Sequence, residues 1–313
     1  MQKRTWLLTI GFVILGICSA QSQRERVFSV PLDDLQTWSG KVVVPVKAKI
    51  TGHSGVHSVA SDCEMHMGAI LTGYKGDPPG WVLEPMNLCL ELMPDKKIKK
   101  TSDWEALGDN LVGTTIEGSG VPRLWPEHLK VDPRHADSNP AHATEVHPLV
   151  ALSSGHEIFD FGSFVHAPEG FAGIKPKTAQ AILTNTRVNV REQSGMVEII
   201  FESSQIGNFA ELQVTVDRDS IKEIDGSHAM EGLAVAAGEN PTDVRLVTVK
   251  GSEVNDTIAS AQKGKRKHVT FDSLVLFSLN PDALFAAAKK SRGQKVEVET
   301  PIQLILYGPP QAE

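Results

Sequence analysis

The sequence predicts a mainly β protein in two parts: an N-terminal five-stranded barrel with one helix, and a β-rich, sandwich-like C-terminal part. Three observations lead to this prediction. Short segments rich in Val, Ile and Leu recur along the chain, a helical segment interrupts the first group of them, and no Trp or Cys follows Trp125. A chain of 313 residues is long enough to bury two cores of ordinary size.

The N-terminal part contains the five predicted strands and the predicted helix. Apolar alternation or a continuous apolar run predicts strands over residues 41–50, 61–71, 80–92, 114–124 and 143–152. In the helix, Ser102 is the predicted N-cap, Glu105 completes a capping box and Gly113 follows the last turn. Three strands, a helix and two strands come in the order of an OB-fold, a five-stranded Greek-key barrel.

The C-terminal part is predicted to contain further strands and one helix. Apolar segments predict strands over residues 186–191, 196–202, 209–217, 244–249, 269–277 and 296–307. Asn280 is the predicted N-cap of the helix, Pro281 takes its first position and Gly293 ends it. A turn-like cluster separates an OB-like domain at 27–153 from a second domain at 156–308. No internal repeat is apparent in the sequence.

Residues 1–20 have the features of a secretory signal peptide. Lys3 and Arg4 precede an uncharged apolar run over residues 6–17, and Ala20 ends a stretch of small residues that suits signal peptidase. The run is shorter than the roughly 20 apolar residues of a transmembrane helix, and no later segment is long and apolar enough to be one. We therefore expect a secreted or periplasmic protein. Lipidation of Cys18 stays an open alternative.

Cleavage after Ala20 leaves two cysteines, Cys63 and Cys89. An even number of cysteines in an oxidising compartment predicts one disulfide between them. The alternative is a pair of buried free thiols. Neither cysteine belongs to a CxxC motif, so the sequence gives no support to a redox or zinc-ribbon role.

The charge balance bears on the class of partner. Without Lys3 and Arg4, the 31 basic residues become 29 against 38 acidic residues, a net charge of −9. Broad nucleic-acid binding normally depends on a basic surface, so a saccharide or protein partner is the better expectation. The one sharp basic block, residues 263–268, contains no aromatic residue for base stacking and is interpreted as a solvated loop.

Acidic residues and histidines gather in two predicted strands. Asp62, Glu64 and His66 would share one face of the second strand, and Glu145 and His147 one face of the last. Carboxylates and imidazoles are ligands of divalent metals, so these five residues form a candidate metal site if the two faces meet. The alternative is two ordinary polar strand faces. A loop between these strands supplies possible further site residues, namely Glu127, His128 and His142.

The same residues carry a resemblance to a family of secreted bacterial proteins, mostly uncharacterised, with a D-x-D/E-x-H … E-x-H-P pattern on an OB-like domain. The motifs that carry it are Asp62-Cys63-Glu64-Met65-His66, Trp125-Pro126-Glu127-His128, Asn139-Pro140-Ala141-His142 and Glu145-Val146-His147-Pro148. The resemblance covers residues 40–153. It implies an OB-like fold and an exported compartment, but it brings no established activity and no catalytic residue.

Two functions are compatible with these features. The first is an exported, non-catalytic binding or interaction protein with an OB-like module, because OB-folds bind ligands through one strand face and its loops. The alternative is a metal-assisted hydrolase, for example a phosphodiesterase or nuclease, in which a divalent ion held by the acidic and histidine cluster activates water. The sequence leaves the ligand, the catalytic residues and the presence of a metal open.

Overall fold

The computed structural model describes residues 24–168, 170–171, 173–236 and 238–308. The predicted signal peptide and Cys18 lie outside the described residues. The strands are, in chain order, β1 (Arg24–Pro31), β2 (Val44–His53), β3 (Met67–Leu71), β4 (Trp81–Leu83), β5 (Thr115–Leu124), β6 (Thr144–Ser154), β7 (Glu157–Asp160), β8 (Arg187–Gln193), β9 (Met196–Ser203), β10 (Phe209–Asp217), β11 (Lys222–Ile224), β12 (Ser227–Val235), β13 (Thr242–Thr248), β14 (His268–Leu279), β15 (Val296–Glu297) and β16 (Ile302–Gly308). The helices are α1 (Leu32–Trp38), α2 (Thr101–Leu111), α3 (Pro176–Asn185), α4 (Glu253–Lys263) and α5 (Pro281–Ser291).

The first barrel has the predicted five strands. β2 pairs antiparallel with β3 and β5, β3 with β4, and β5 with β6, and a parallel pairing of β4 with β6 closes the sheet. In β2 the alternation is the physical cause of the strand, since Val44, Val46, Ala48 and Ile50 are buried while the residues between them face solvent. With α2 between β4 and β5, the topology is that of an OB-fold, and the predicted barrel is confirmed.

Two predicted strands of this barrel are much shorter than expected. The segment predicted at 61–71 is a strand only over β3, and the segment predicted at 80–92 only over β4. Cys63 (φ 62°) and Asn87 (φ 56°) both have left-handed backbone, which an extended strand cannot contain. The helix also starts differently: Asp103, rather than a Ser102–Glu105 box, accepts hydrogen bonds from the backbone N–H of Lys99 and Lys100.

The C-terminal part is β-rich, as predicted, and its main sheet closes into a second five-stranded barrel. β10 pairs antiparallel with β12 and β14, β12 with β13, and β14 with β16, while β13 and β16 are parallel. α4 lies between β13 and β14 in the chain, the place that α2 takes in the first barrel. The two barrels therefore repeat one topology, a repeat that is not visible in the residue pattern.

A separate four-stranded sheet combines the start of the described chain with the C-terminal half. Its order is β1-β9-β8-β15, and β1 runs antiparallel to β9 along its whole length. The predicted boundary near residues 153–156 coincides with a hairpin turn, because β7 pairs antiparallel with β6 across it. The predicted strand at 296–307 is two strands, β15 and β16, in different sheets.

The two barrels pack against each other through an apolar interface. Val121 of β5 and Met86 lie in the same buried cluster as Leu274, Leu276 and Ile305 from the second barrel. Hydrogen bonds cross this interface, since the Ser278 hydroxyl of β14 accepts from the backbone N–H of Leu124 at 3.2 Å. None of the helices in the described ranges is long and apolar enough to cross a bilayer.

The predicted disulfide joins Cys63 to Cys89, 26 residues apart in the chain. Closing a loop of this length restricts the unfolded chain and is worth about 3 kcal/mol. We expect a Cys63→Ser/Cys89→Ser variant to lose about that much free energy of unfolding in urea denaturation. Reducing the wild-type protein with dithiothreitol should produce the same loss, and an unchanged wild-type midpoint under reduction would contradict the prediction.

Candidate functional site

Six ionisable side chains form a cluster at the outer wall of the first barrel, which we call the buried network. Its members are Glu64, Glu84, Arg123, His142, Glu145 and His147, and each is no more than 5% exposed. Two strands, β5 and β6, and three loop segments supply them. The network therefore depends on the closed barrel for its geometry.

The barrel strands bring the network together. Arg123 on β5 stands directly opposite Glu145 on β6 in the antiparallel register. His147 follows Glu145 on the same side of β6, because side chains alternate along a strand. Glu84 lies just after β4, where its backbone N–H donates to Val146 at 3.0 Å and its carbonyl accepts from Leu149 at 2.9 Å. These bonds extend the alignment of β4 with β6 beyond the end of the regular strand.

His147 lies between carboxylates. Its Nε2–H donates to Glu64 Oε1 at 2.9 Å. Its Nδ1 lies against Glu84 Oε2 and 3.7 Å from Glu145 Oε2, close enough for ion pairing although it is not aligned with either oxygen for a hydrogen bond. Burial alone would lower the pKa of His147, but the charges of Glu64 and Glu84 hold that pKa well above its usual range. The ring is therefore an imidazolium at neutral pH.

Arg123 and His142 neutralise Glu145 on its other side. Arg123 Nη1 donates to Glu145 Oε2, and His142 Nε2 lies 3.0 Å from Glu145 Oε1. His142 Nδ1 is 2.6 Å from the carbonyl of Pro140, which requires a proton on that nitrogen as well. Burial opposes the charge of Glu145, but Arg123, the hydrogen bond of His142 and the nearby His147 hold its pKa well below the usual value.

Arg123 also joins the two barrels. Its Nε donates to the carbonyl of Phe277 on β14 at 2.8 Å, and its Nη2 donates to Asn208 Oδ1. Asn208 precedes β10, so both partners belong to the second barrel. All three parts of the guanidinium are thus engaged, and the side chain is 1% exposed.

The remaining carboxylates of the network differ in their pKa. Burial, with the nearby charges of Glu84 and Asp62, raises the pKa of Glu64 to about 7 despite its contact with His147. Burial acts on Glu84 in the same direction, but the charges of His147 and His66 bring its pKa to about 2. The three cations Arg123, His142 and His147 thus face two firmly ionised carboxylates and a third that titrates near neutrality.

Three side chains at the edge of the network are partly open to solvent, and we call them the outer group: His57, Asp62 and His66. His57 Nδ1 is 2.7 Å from Asp62 Oδ1, and the rings of His57 and His66 meet edge to face with centroids 4.6 Å apart. The hydrogen bond to Asp62 raises the pKa of His57, whereas burial lowers the pKa of His66. His66 Nε2 lies 3.4 Å from Glu84 Oε1, so the outer group touches the buried network.

The residues proposed from the sequence are distributed over these two clusters. Glu64, Glu145 and His147 meet in the buried network with His142, and Asp62 and His66 belong to the outer group. Glu127 and His128 lie at the rim, where Glu127 is 3.8 Å from Arg123 and the ring of His128 stacks on His142 at 5.0 Å. The expectation that Asp62, Glu64 and His66 share one strand face is wrong, because they precede β3.

Sequence reasoning missed three members of these clusters: His57, Glu84 and Arg123. His57 lies outside every predicted strand, and Glu84 falls within the strand predicted over residues 80–92. A hydrogen bond from the His57 backbone N–H to the Glu64 carbonyl (2.8 Å) turns the loop so that His57 faces Asp62. Arg123 gives no local signal, because its partners come from β6 and from the second barrel.

A groove of about 1350 Å³ opens on the second barrel, and we call it the acidic groove. It is lined by β12, β13 and the end of β10. The turn that precedes β11, β11 itself and the start of α5 complete the lining. Its carboxylates are Asp217, Asp219, Glu223, Glu231, Asp243, Asp282 and Glu299. Its basic residues are Lys222, Arg245 and His268. Two of the carboxylates are paired, Asp282 with Arg245 Nε at 3.2 Å and Asp219 with Arg218 Nη2 at 2.9 Å, and the groove keeps an excess of negative charge.

Comparison of the chain with protein-family models gives no match, and comparison with curated proteins gives none either. The function is therefore inferred from the geometry of these sites.

Removing the cation of the inter-barrel contact should be costly. Arg123→Ala leaves Glu145 buried with fewer partners, and breaking a buried ion pair in this way typically costs about 3–5 kcal/mol. We expect urea denaturation to show a loss of that order. The control is Lys47→Ala, which removes an exposed pair with Glu117 and should cost less than about 1 kcal/mol. Equal losses in the two variants would count against a stabilising role for Arg123.

Acid should destabilise the fold through Glu145. Its folded-state pKa is depressed, so its contribution is present above its unfolded pKa, near 4.5, and is lost as the pH falls toward the folded value. In Glu145→Gln we expect the free energy of unfolding to depend less steeply on pH below 4.5, by up to about 1.4 kcal/mol per pH unit. Denaturation series at several pH values measure the slope. The exposed Glu117→Gln variant should retain the wild-type slope.

Proposed function

We propose that this chain is an exported, non-catalytic binding protein whose acidic groove holds a basic, extended segment of a partner protein. The observation that carries the proposal is the set of seven carboxylates lining the groove, which outnumber the basic lining residues Lys222, Arg245 and His268 even though Asp219 pairs with Arg218 and Asp282 with Arg245. A negative cleft attracts cationic partners and accelerates their association.

The position of the groove supports a binding role. OB-folds bind ligands on their second and third strands and on the loops that join strand 1 to 2 and strand 4 to 5. In the second barrel these are β12 and β13, the segment around β11, and the segment that contains α5. Residues from each of them line the acidic groove.

The chemistry of the groove favours a basic peptide over the other ligand classes. Its carboxylates repel phosphates, and among the described residues that line it none is Phe, Trp or Tyr, the side chains on which bases stack. A neutral saccharide gains no charge complementarity there. A segment rich in Lys or Arg does.

Export is the second element of the proposal. The Cys63–Cys89 bond supports it, because structural disulfides persist mainly in oxidising compartments. The signal-peptide features of residues 1–20 point the same way.

A labelled hexalysine peptide tests the ligand class. We expect the protein to bind it in fluorescence polarisation, with affinity falling as salt rises. Glu223→Gln/Glu231→Gln/Asp243→Asn removes three exposed charges of the groove and should weaken binding about tenfold or more. The matched control, Asp95→Asn/Glu157→Gln/Asp256→Asn, removes three exposed carboxylates elsewhere and should bind like wild type.

Several outcomes would contradict the proposal. Equal weakening of hexalysine binding in the two triple variants would mean that overall net charge, and not the groove, determines the affinity. Tighter binding of a neutral hexasaccharide or of single-stranded DNA than of hexalysine would assign the groove to another ligand class.

A metal-assisted hydrolase is the second candidate, favoured by the partly exposed His57, Asp62 and His66. Such an enzyme should hydrolyse bis(4-nitrophenyl) phosphate when Zn²⁺ or Mn²⁺ is added, and His57→Ala/His66→Ala should abolish the reaction. No turnover would leave the binding function alone, whereas metal-independent turnover would contradict both the metal-assisted mechanism and the non-catalytic function.

A further inference from the structure

We propose that His57, Asp62 and His66 form a binding site for a divalent transition-metal ion of the zinc class. One ligand atom from each side chain can be chosen so that all three lie within 4.8 Å of one another. This site is on the first barrel and is independent of the acidic groove, so the proposal goes beyond the function proposed above.

The backbone fixes the relative positions of the three ligands. The 54–66 loop is held as an irregular hairpin, in which Ser54 N–H donates to the His66 carbonyl and His57 N–H to the Glu64 carbonyl, each at 2.8 Å. The Cys63–Cys89 bond anchors the loop to the segment after β4, where Leu88 N–H donates to the Cys63 carbonyl at 2.9 Å. Such anchoring lowers the entropy that the loop loses when it closes on an ion.

The distances between ligand atoms suit a small ion after a slight opening. Ligand atoms on a tetrahedral ion with bonds of about 2.0 Å are about 3.3 Å apart. His57 Nδ1 and Asp62 Oδ1, now 2.7 Å apart, therefore need to separate by about half an ångström. Both side chains are about a quarter exposed, which leaves them room to do so.

The donor set selects the class of ion. Two imidazoles and one carboxylate suit Zn²⁺, Co²⁺ or Ni²⁺, whereas Mg²⁺ and Ca²⁺ prefer oxygen ligands alone. Three protein ligands with access to solvent leave a fourth position for water. When His66 binds through Nδ1, its Nε2–H can donate to Glu84, the kind of carboxylate partner that orients metal-bound histidines.

A second triad, Glu64, Glu84 and His147, meets the same distance criterion, but we do not assign the ion to it. Both ring nitrogens of His147 already face carboxylates, and the three residues are between 1% and 5% exposed. An ion entering there would have to break this internal pairing without a path from solvent. The outer group offers ligands without that loss.

The test uses the chain from residue 21 to 313 with its disulfide formed, freed of metal by chelation and titrated with CoCl₂. We expect visible absorption of bound Co²⁺ that saturates at one ion per chain and is displaced by Zn²⁺. His57→Ala/His66→Ala should weaken binding by about 100-fold or more. The matched control, His135→Ala/His156→Ala, removes two exposed histidines outside both clusters and should bind like wild type.

Two further arms make the result decisive. Asp62→Asn keeps the shape of the loop and should also weaken Co²⁺ binding, and Zn²⁺ should raise the melting temperature of the wild-type protein but not of this variant. Unchanged Co²⁺ affinity in the His57/His66 variant, or no saturable binding by wild type, would overturn the proposal. Neither result bears on hexalysine binding, so failure here and failure of the groove proposal are distinguishable.

Discussion

The contact between Arg123 and Glu145 is the constraint on which the rest of the structure depends. It neutralises a carboxylate that the barrel wall removes from water, and it takes place where the two barrels meet. Because the same guanidinium also donates to Phe277 and Asn208, the hydrogen bonding of this buried cation is completed only when the second barrel is docked. Burial of two ions is costly unless every donor and acceptor is satisfied, so the ion pair favours one relative arrangement of the barrels over sliding alternatives. The apolar interface around Val121 and Leu276 contributes buried area, whereas the hydrogen bonds of Arg123 favour one orientation of the barrels.

Much of the first barrel could be predicted from the sequence, because β2 alternates cleanly and the turn and helix signals separate the other strands. The second barrel could not be recognised as a repeat, because β12 buries Ser227, His228, Ala229 and Met230 in succession and gives no period of two. Glu145 and His147 could be paired by their spacing along β6. Their partners could not be predicted, since Arg123 and Glu84 reach them across strand pairings. The predicted alignment of Asp62, Glu64 and His66 fails because the left-handed backbone of Cys63 prevents a regular strand there.

That interruption has a chemical consequence. In a regular strand the three residues at 62, 64 and 66 would face one environment. In the observed loop Glu64 turns inward to His147, while Asp62 and His66 stay at the surface beside His57. One short segment, anchored by the disulfide, thus contributes to both a closed and an open cluster. The carboxylates of the closed cluster are paired with its own cations, so they stabilise the fold and are not available to a ligand.

The basic groups of the open cluster are its two histidines, and the cluster touches the buried network through Glu84 and through the backbone of Glu64. A divalent ion there would compensate the Asp62 carboxylate directly and leave the pairing of His147 intact, because His66 can keep its contact with Glu84 while it binds through the other ring nitrogen. Under the two proposals, stability and ligand binding belong to neighbouring but separate groups. The outer group and the acidic groove lie on different barrels, so each can be altered without disturbing the other. A substitution confined to the outer group should therefore change what the protein binds far more than how stably it folds.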